Sequence, residues 1–176
     1  MYEIESLRDA CEIPLERSII ELMYATGCRI GEVVKINRAD IDWNTRTIPV
    51  HGKGNKDRLV YFDLKCEIWL TKYLETRSDD CEALFVTERR HEDRQPRRMS
   101  IAQMRYVIKR VAKRAGIEKS IHPHAVRHSF AMNLLENGAP LEAIQDFLGH
   151  SDPRHTEVYA QLTTEMKREI YRKYHR

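Results

Sequence analysis

Apolar residues recur at three- and four-residue steps along most of this chain, and only one short region breaks into strand-like runs. Pro14 opens a segment in which Ile19, Ile20, Leu22 and Met23 supply an apolar face, which predicts a helix over residues 14–25. Thr26-Gly27 breaks it, and a second short helix is expected over 29–36. Three strand-like runs follow at 41–43, 47–50 and 59–62, separated by Asn44-Thr45 and by Gly52-Lys53-Gly54-Asn55. They predict a small three-stranded antiparallel sheet. Residues 64–76 read as helix and 83–87 as a short extended piece. The clearest amphipathic helix spans 100–115, with Ile101, Met104, Ile108, Val111 and Ala115 on one face. Arg105, Lys109 and Lys113 climb another face at i, i+4 spacing, with Arg110 and Arg114 beside them, and Gly116 closes the helix. Helices over 123–137 and 140–148 end at Gly138 and Gly149. Asp152-Pro153 reads as an N-cap followed by proline at the first helical position, opening a helix that contains Tyr159. A last helix is expected over 163–174. The pattern predicts one mainly helical (α+β) domain over residues 1–176, without repeats or an internal linker.

Length agrees with that reading, since 176 residues fill one domain and not two. No apolar stretch approaches the roughly 18–20 residues that span a bilayer, and the first residues lack the basic and apolar regions of a signal peptide. The four cysteines, at 11, 28, 66 and 81, form no CxxC pair, so neither a disulfide framework nor a zinc ribbon is expected and the cytoplasm is the default compartment.

Net charge is only +3, but it is unevenly placed. Residues 1–16 carry five acids against Arg8, whereas residues 87–114 carry ten Lys/Arg against Glu88, Glu92 and Asp93. A basic block in a near-neutral chain fits a polyanion-binding face, and equally a solvated helix surface. Charge alone leaves both open.

The chemically interesting residues are weak signals one at a time. His124 and Arg127 share a helix face, yet a hydrogen-bonded histidine and a surface arginine are the commoner explanation. His150 follows a helix-ending glycine, where it could cap carbonyls, and a tyrosine such as Tyr159 is more often core than nucleophile. Arg29 could be an exposed helix-start arginine, and Lys53 a solvated turn residue. His122, His124 and His128 suggest a metal only weakly, because no carboxylate or cysteine completes a familiar spacing and HExxH is absent. Gly52-Lys53-Gly54 is not a phosphate-binding GxxxxGK[ST] loop.

Taken together the same residues carry more weight. Arg29 sits in Ala-Thr-Gly-Cys-Arg-Ile-Gly-Glu, and Lys53 in Gly-Lys-Gly-Asn-Lys-Asp-Arg. His124 and Arg127 sit in His-Pro-His-Ala-Val-Arg-His-Ser-Phe, His150 ends Phe-Leu-Gly-His, and Tyr159 follows nine residues later. In order and spacing this resembles the tyrosine recombinase family of phage and transposon integrases, over nearly the whole chain. The resemblance implies the helical catalytic fold of that family and site-specific DNA recombination without ATP, cofactor or essential metal. Arg29 and Arg127 would grip the scissile phosphate, with His124 and His150 as further phosphate contacts. Lys53 would protonate the leaving oxygen, and Tyr159 would attack to form a 3′-phosphotyrosyl link. The chemistry is coherent: guanidinium forks match a phosphoryl group, a flexible lysine can follow a leaving oxygen, and a phenol needs a base close by.

The resemblance further implies partners. These are double-stranded DNA with inverted core sites and other protomers in a tetramer linked by the helix at 163–174, which could equally pack on its own domain. The basic helix face itself adds Arg105, Lys109 and Lys113 as phosphate contacts. Accessory DNA-bending proteins and association with the nucleoid belong to the same expectation. Cys28 departs from the usual leucine, Ala125-Val126 from an acidic-leucine pair, and residues 152–156 from a threonine-rich stretch. The N-terminal DNA-clasping domain of the family is expected to be absent from these 176 residues. A topoisomerase that reseals the same strand, and a DNA-binding module that no longer cuts, remain as alternatives.

Overall fold

A computed structural model describes residues 2–52, 57–88, 95–117, 123–149 and 163–175. Helix α1 (Tyr2–Asp9) leads to α2 (Pro14–Thr26), which starts at a proline that needs no amide donor and is buried along almost its whole length. It packs against the helices introduced next as α4, α5 and α6, so it is the axis of the domain. A short α3 (Ile30–Val33) and a single 3₁₀ turn at Arg38–Asp40 follow, where a longer helix over 29–36 was expected.

Strands β1 (Thr47–His51) and β2 (Asp57–Tyr61) pair antiparallel, with Thr47 opposite Tyr61 and His51 opposite Asp57. The small sheet is therefore present, but among the described residues it has two strands and not three. The run at 41–43 contributes only a bridge between Asp42 and Thr47. The reason is local. Asp42 accepts hydrogen bonds from the amides of Asn44 and Thr45, and Arg46 takes a positive φ of 55°, so the chain doubles back before a third strand can extend.

Helix α4 (Leu64–Glu75) is capped by Asp63, which accepts from the Cys66 amide at 2.8 Å. Helix α5 (Ile101–Arg114) opens on a capping box between Ser100 and Gln103. Its buried stripe is Met104, Val107, Ile108 and Val111, while Ile101, expected inside, is exposed on the first turn. Helices α6 (Pro123–Glu136) and α7 (Leu141–Leu148) follow the predicted bounds closely, and α8 (Thr164–Tyr174) ends the described chain. The helix expected around Tyr159 lies outside the described residues. Among the described residues no helix is long and apolar enough to cross a membrane.

Two apolar clusters meet on α6. Val126 belongs to the larger one, built on α1, α2, α4, α5 and the sheet. Phe130 and Leu134 belong to the smaller one, with Tyr61, Ile144, Phe147 and Tyr171. Arg127 lies between these anchors on the same helix. The acids at the front of the chain are also in use. Glu21 pairs with Arg8 and Arg17, and Glu16 takes Arg110 and Arg114 of α5 at 2.8 and 2.5 Å.

Helix α8 packs on its own domain. Tyr171 is buried and donates its hydroxyl hydrogen to the Ala25 carbonyl at 2.9 Å, and Lys167 meets Asp146 at 2.9 Å. Past its end, His175 stacks on Tyr171 with ring centroids 4.9 Å apart, beside Tyr24 and Phe130. Burial holds the His175 imidazole below its ordinary pKa, outweighing the opposite pull of Asp63 at 3.8 Å, with Arg8 and Glu21 acting from farther away. The unfolded chain takes up this proton near pH ~6.5 and the folded chain resists it, so the contribution is whole above that pH and is lost as pH falls below it. His175→Phe keeps the stacking and removes the titration. Its melting temperature should drop less than that of the parent between about pH 7.5 and about pH 5. Equal acid sensitivity of the two proteins would exclude His175 as the cause.

Candidate active site

The site begins where α2 stops. Gly27 closes the helix in the left-handed region (φ 61°), its amide donating to the Met23 carbonyl at 3.1 Å. A side chain there would also collide with α6, since an added Cβ would lie 2.4 Å from Cδ1 of Phe130. Both conditions require glycine. The turn buries Cys28, whose thiol is pushed up to about 11 by burial, and delivers Arg29 to the N-cap of α3. There the Arg29 amide donates to Oε2 of Glu32 at 2.7 Å, and its guanidinium makes a longer contact of 3.2 Å to Oε1. About a third of the Arg29 side chain stays exposed (35%).

Gly27→Ala should cost about 2–4 kcal/mol, adding a left-handed backbone penalty to displacement of Phe130. Gly138, at φ 85° with nothing within 4 Å of an added Cβ, isolates the backbone part. Gly138→Ala should therefore lose only about 1–2 kcal/mol in urea denaturation. Equal losses at the two positions would show that the Phe130 contact is soft.

Among the described residues of the site Arg127 is the deepest cation, with 7% of it exposed. One terminal nitrogen donates to the Gly27 carbonyl at 2.5 Å and the other to the Leu148 carbonyl at 2.6 Å, so the guanidinium ties the turn after α2 to the end of α7. Burial, with the positive charges of Arg29 and Arg58 close by, lowers its pKa to about 10. It stays protonated at neutral pH, in a field that already favours an anion.

Arg58 is the site residue that sequence reasoning passed over. It reaches from β2 and grips Glu32 with both terminal nitrogens, Nη1 to Oε1 at 2.8 Å and Nη2 to Oε2 at 3.0 Å. Its Nε donates to the Phe147 carbonyl at 3.2 Å. Gly149, left-handed at φ 62°, lets it lie close, because an added Cβ would meet the Arg58 side chain at 3.1–3.2 Å. Burial alone would raise the Glu32 carboxyl. The hydrogen bonds from Arg58 and from the Arg29 backbone outweigh it and hold Glu32 below the usual carboxylate range. The available signal was position, since Arg58 closes the same Gly-Lys-Gly-Asn-Lys-Asp-Arg segment that holds Lys53.

The structure thus brings Arg29 and Arg127 together, and places His124 exposed on α6 one turn before Arg127. Lys53, His150 and Tyr159 lie outside the described residues. On α5, Arg105, Lys109 and Lys113 are all exposed. Arg110 and Arg114 are not free with them. Arg110 makes a two-pronged pair with Glu88 at 2.7 and 3.1 Å, and Arg114 meets Glu12 and Glu16. The basic block seen in the sequence is therefore narrower on the surface than its residue count suggests.

Residues 2–166 match the profile of the Phage integrase family. The chain belongs to that family. It is 35% identical over 177 aligned residues to tyrosine recombinase XerC of Leptospira interrogans, an alignment covering 99% of this chain and 55% of that protein. It is 38% identical over 159 residues to tyrosine recombinase XerA of Thermococcus kodakarensis, covering 90% of this chain and 55% of that one. This member of the family thus spans about half the length of these curated relatives. Among solved structures, XerA recombinase superposes with a TM-score of 0.76 at 31% identity, covering 98% of this chain and 63% of the other. The integrase of mycobacterium phage Brujita shares the fold at 23% identity, with a TM-score of 0.73, 98% of this chain and 56% of the other covered. The kinship read from six residue types in order is thereby established, and with it the mainly helical catalytic fold.

Proposed function

We propose that this chain is the catalytic part of a site-specific DNA recombinase that cuts and rejoins strands through a 3′-phosphotyrosyl link on Tyr159. The observation that carries the reading is the meeting of Arg29 and Arg127, from helices far apart in sequence, beside Arg58 and the buried carboxylate of Glu32. Attack on a phosphodiester gathers negative charge on the non-bridging oxygens, and fixed guanidinium forks stabilise that charge without metal or ATP. His124, and His150 beyond the described residues, would add phosphate contacts. Lys53 would protonate the leaving 5′-oxygen. The 5′-hydroxyl of a partner strand then attacks the phosphotyrosine, so each bond broken is matched by one formed.

The partner would be duplex DNA with inverted core sites. Arg105, Lys109 and Lys113 offer an exposed row for backbone phosphates. Reversing these three charges should weaken binding to every duplex alike and lower the salt slope by roughly 3. A loss confined to one sequence would instead mean that α5 reads bases. Assembly into a tetramer would use α8, whose Met166, Glu169, Arg172 and Lys173 face outward while Tyr171 is held inside. Accessory DNA-bending proteins and nucleoid association in the cytoplasm complete the proposal.

The test is covalent capture. Duplexes with a random core, nicked so that the cut strand loses a short fragment, should yield a protein–DNA adduct that survives denaturation. Sequencing the captured DNA should return an inverted repeat. No adduct from any duplex would refute cleavage and leave a binding module, and relaxation of plasmids without site preference would point to a topoisomerase.

A further inference from the structure

Glu32 poses a problem for the phosphate site. Its carboxylate is almost fully buried, with 5% of its side chain exposed, and lies within hydrogen-bond reach of the Arg29 guanidinium. A buried carboxylate beside a phosphate-gripping arginine competes with the phosphate for the same fork. Left to itself, Glu32 would close on Arg29 in the two-pronged geometry such pairs favour.

The observed bonding shows why it does not. Oε1 takes Arg58 Nη1 at 2.8 Å and Arg29 Nη1 only at 3.2 Å. Oε2 takes the Arg29 backbone amide at 2.7 Å and Arg58 Nη2 at 3.0 Å. The acceptor positions of the carboxylate are thereby filled, with the two-pronged grip going to Arg58 and one long bond to the Arg29 side chain. Arg58 differs from Arg127 in that its forked face is already closed on a carboxylate, both terminal nitrogens going to Glu32, and its Nε is taken by the Phe147 carbonyl. Its Nε–H bond to the Phe147 carbonyl and its close approach to Gly149 reach the residues that lead into His150. Only arginine supplies a two-pronged grip and a third, sideways donor from one side chain.

We infer that Arg58 is a positioning residue of the phosphate site, occupying Glu32 so that the Arg29 guanidinium stays open to a phosphate, and anchoring the end of α7 to the same carboxylate. The role rests on the recombinase reading for its biological phosphate, but the electrostatic part concerns any phosphate group. It has a signature that a merely structural ion pair lacks. Losing Arg58 should harm the site through Glu32, so removing the Glu32 charge should repair it.

The probe is inorganic phosphate, titrated into the labelled chain while the Arg29 Nε–H resonance is followed. The parent should show a saturable shift. Arg58→Met should bind at least tenfold more weakly, and Arg58→Met with Glu32→Gln should return to within threefold of the parent. Melting curves run alongside, and if Arg58→Met does not fold, Arg58→Lys takes its place with at least a threefold loss expected and the same rescue. Phosphate affinity within threefold of the parent in the single variant, or no rescue in the double, would overturn the inference. On DNA captured by the parent, the single variant should lose single-turnover cleavage rate at saturating duplex with little change in duplex affinity. A loss in affinity alone would also overturn it. If the parent captures no DNA, the recombinase reading fails, and the phosphate titration still decides the role of Arg58.

Discussion

With Tyr159 replaced by phenylalanine, the chain is expected to bind duplex DNA as before and to form no covalent adduct. The substitution removes one oxygen and preserves the ring, so packing is nearly unchanged while the only proposed nucleophile is gone. A phenol with a pKa near ~10 is a poor nucleophile until it loses its proton beside cationic groups, and no other side chain in the proposal can form a phosphotyrosyl bond. The measurement is a denaturing gel of the nicked duplex, with a filter-binding curve as control. An adduct persisting in the phenylalanine protein would move the nucleophile to another residue.

Arg127→Lys is the second large effect. A point charge cannot supply parallel hydrogen bonds to two phosphate oxygens, and loss of one transition-state donor costs on the order of 2.7–4 kcal/mol, roughly a hundred- to thousandfold in rate. The structure adds a second expectation. Arg127 bridges the Gly27 and Leu148 carbonyls from two separate nitrogens of a rigid fork, a geometry that lysine's single ammonium does not reproduce. One buried acceptor is left without its donor, so stability should fall by about 1–3 kcal/mol as well. Arg29→Lys separates the two effects. Arg29 is partly exposed and, among the described residues, its side chain makes one long bond, to Glu32, so its loss should appear in cleavage rate with little change in melting temperature. Cleavage by either lysine variant within threefold of the parent would remove that arginine from the chemistry.

How much of this was legible beforehand varied from element to element. The helices over 64–76, 100–115 and 140–148 could be read nearly to the residue, because caps and terminal glycines are local signals. The supposed third strand failed because Asp42 bonds its own neighbours' amides, a competition that strand propensity does not weigh. Ile101 also differs from the periodic reading. Its spacing fits the buried stripe, but at the first turn of α5 it stands 39% exposed.

The sequence by itself determined the family, the order of the motif residues and the glycine that ends α2, since these depend on short-range chemistry and spacing. Only the tertiary structure decided which charges remain available. Arg110 and Arg114 lie beside the row of Arg105, Lys109 and Lys113 on the helix, yet Glu16 and Glu88 hold those two while the row stays exposed. Arg58 looks like an ordinary strand residue until Glu32, 26 positions earlier, and Phe147, 89 positions later, are brought to it. Charge pairing acts through space over a few ångströms, so residue order alone does not reveal which partner a cation meets; the packing of α2 against α5, and the reach of Arg58 from β2 to Glu32 and Phe147, settle it.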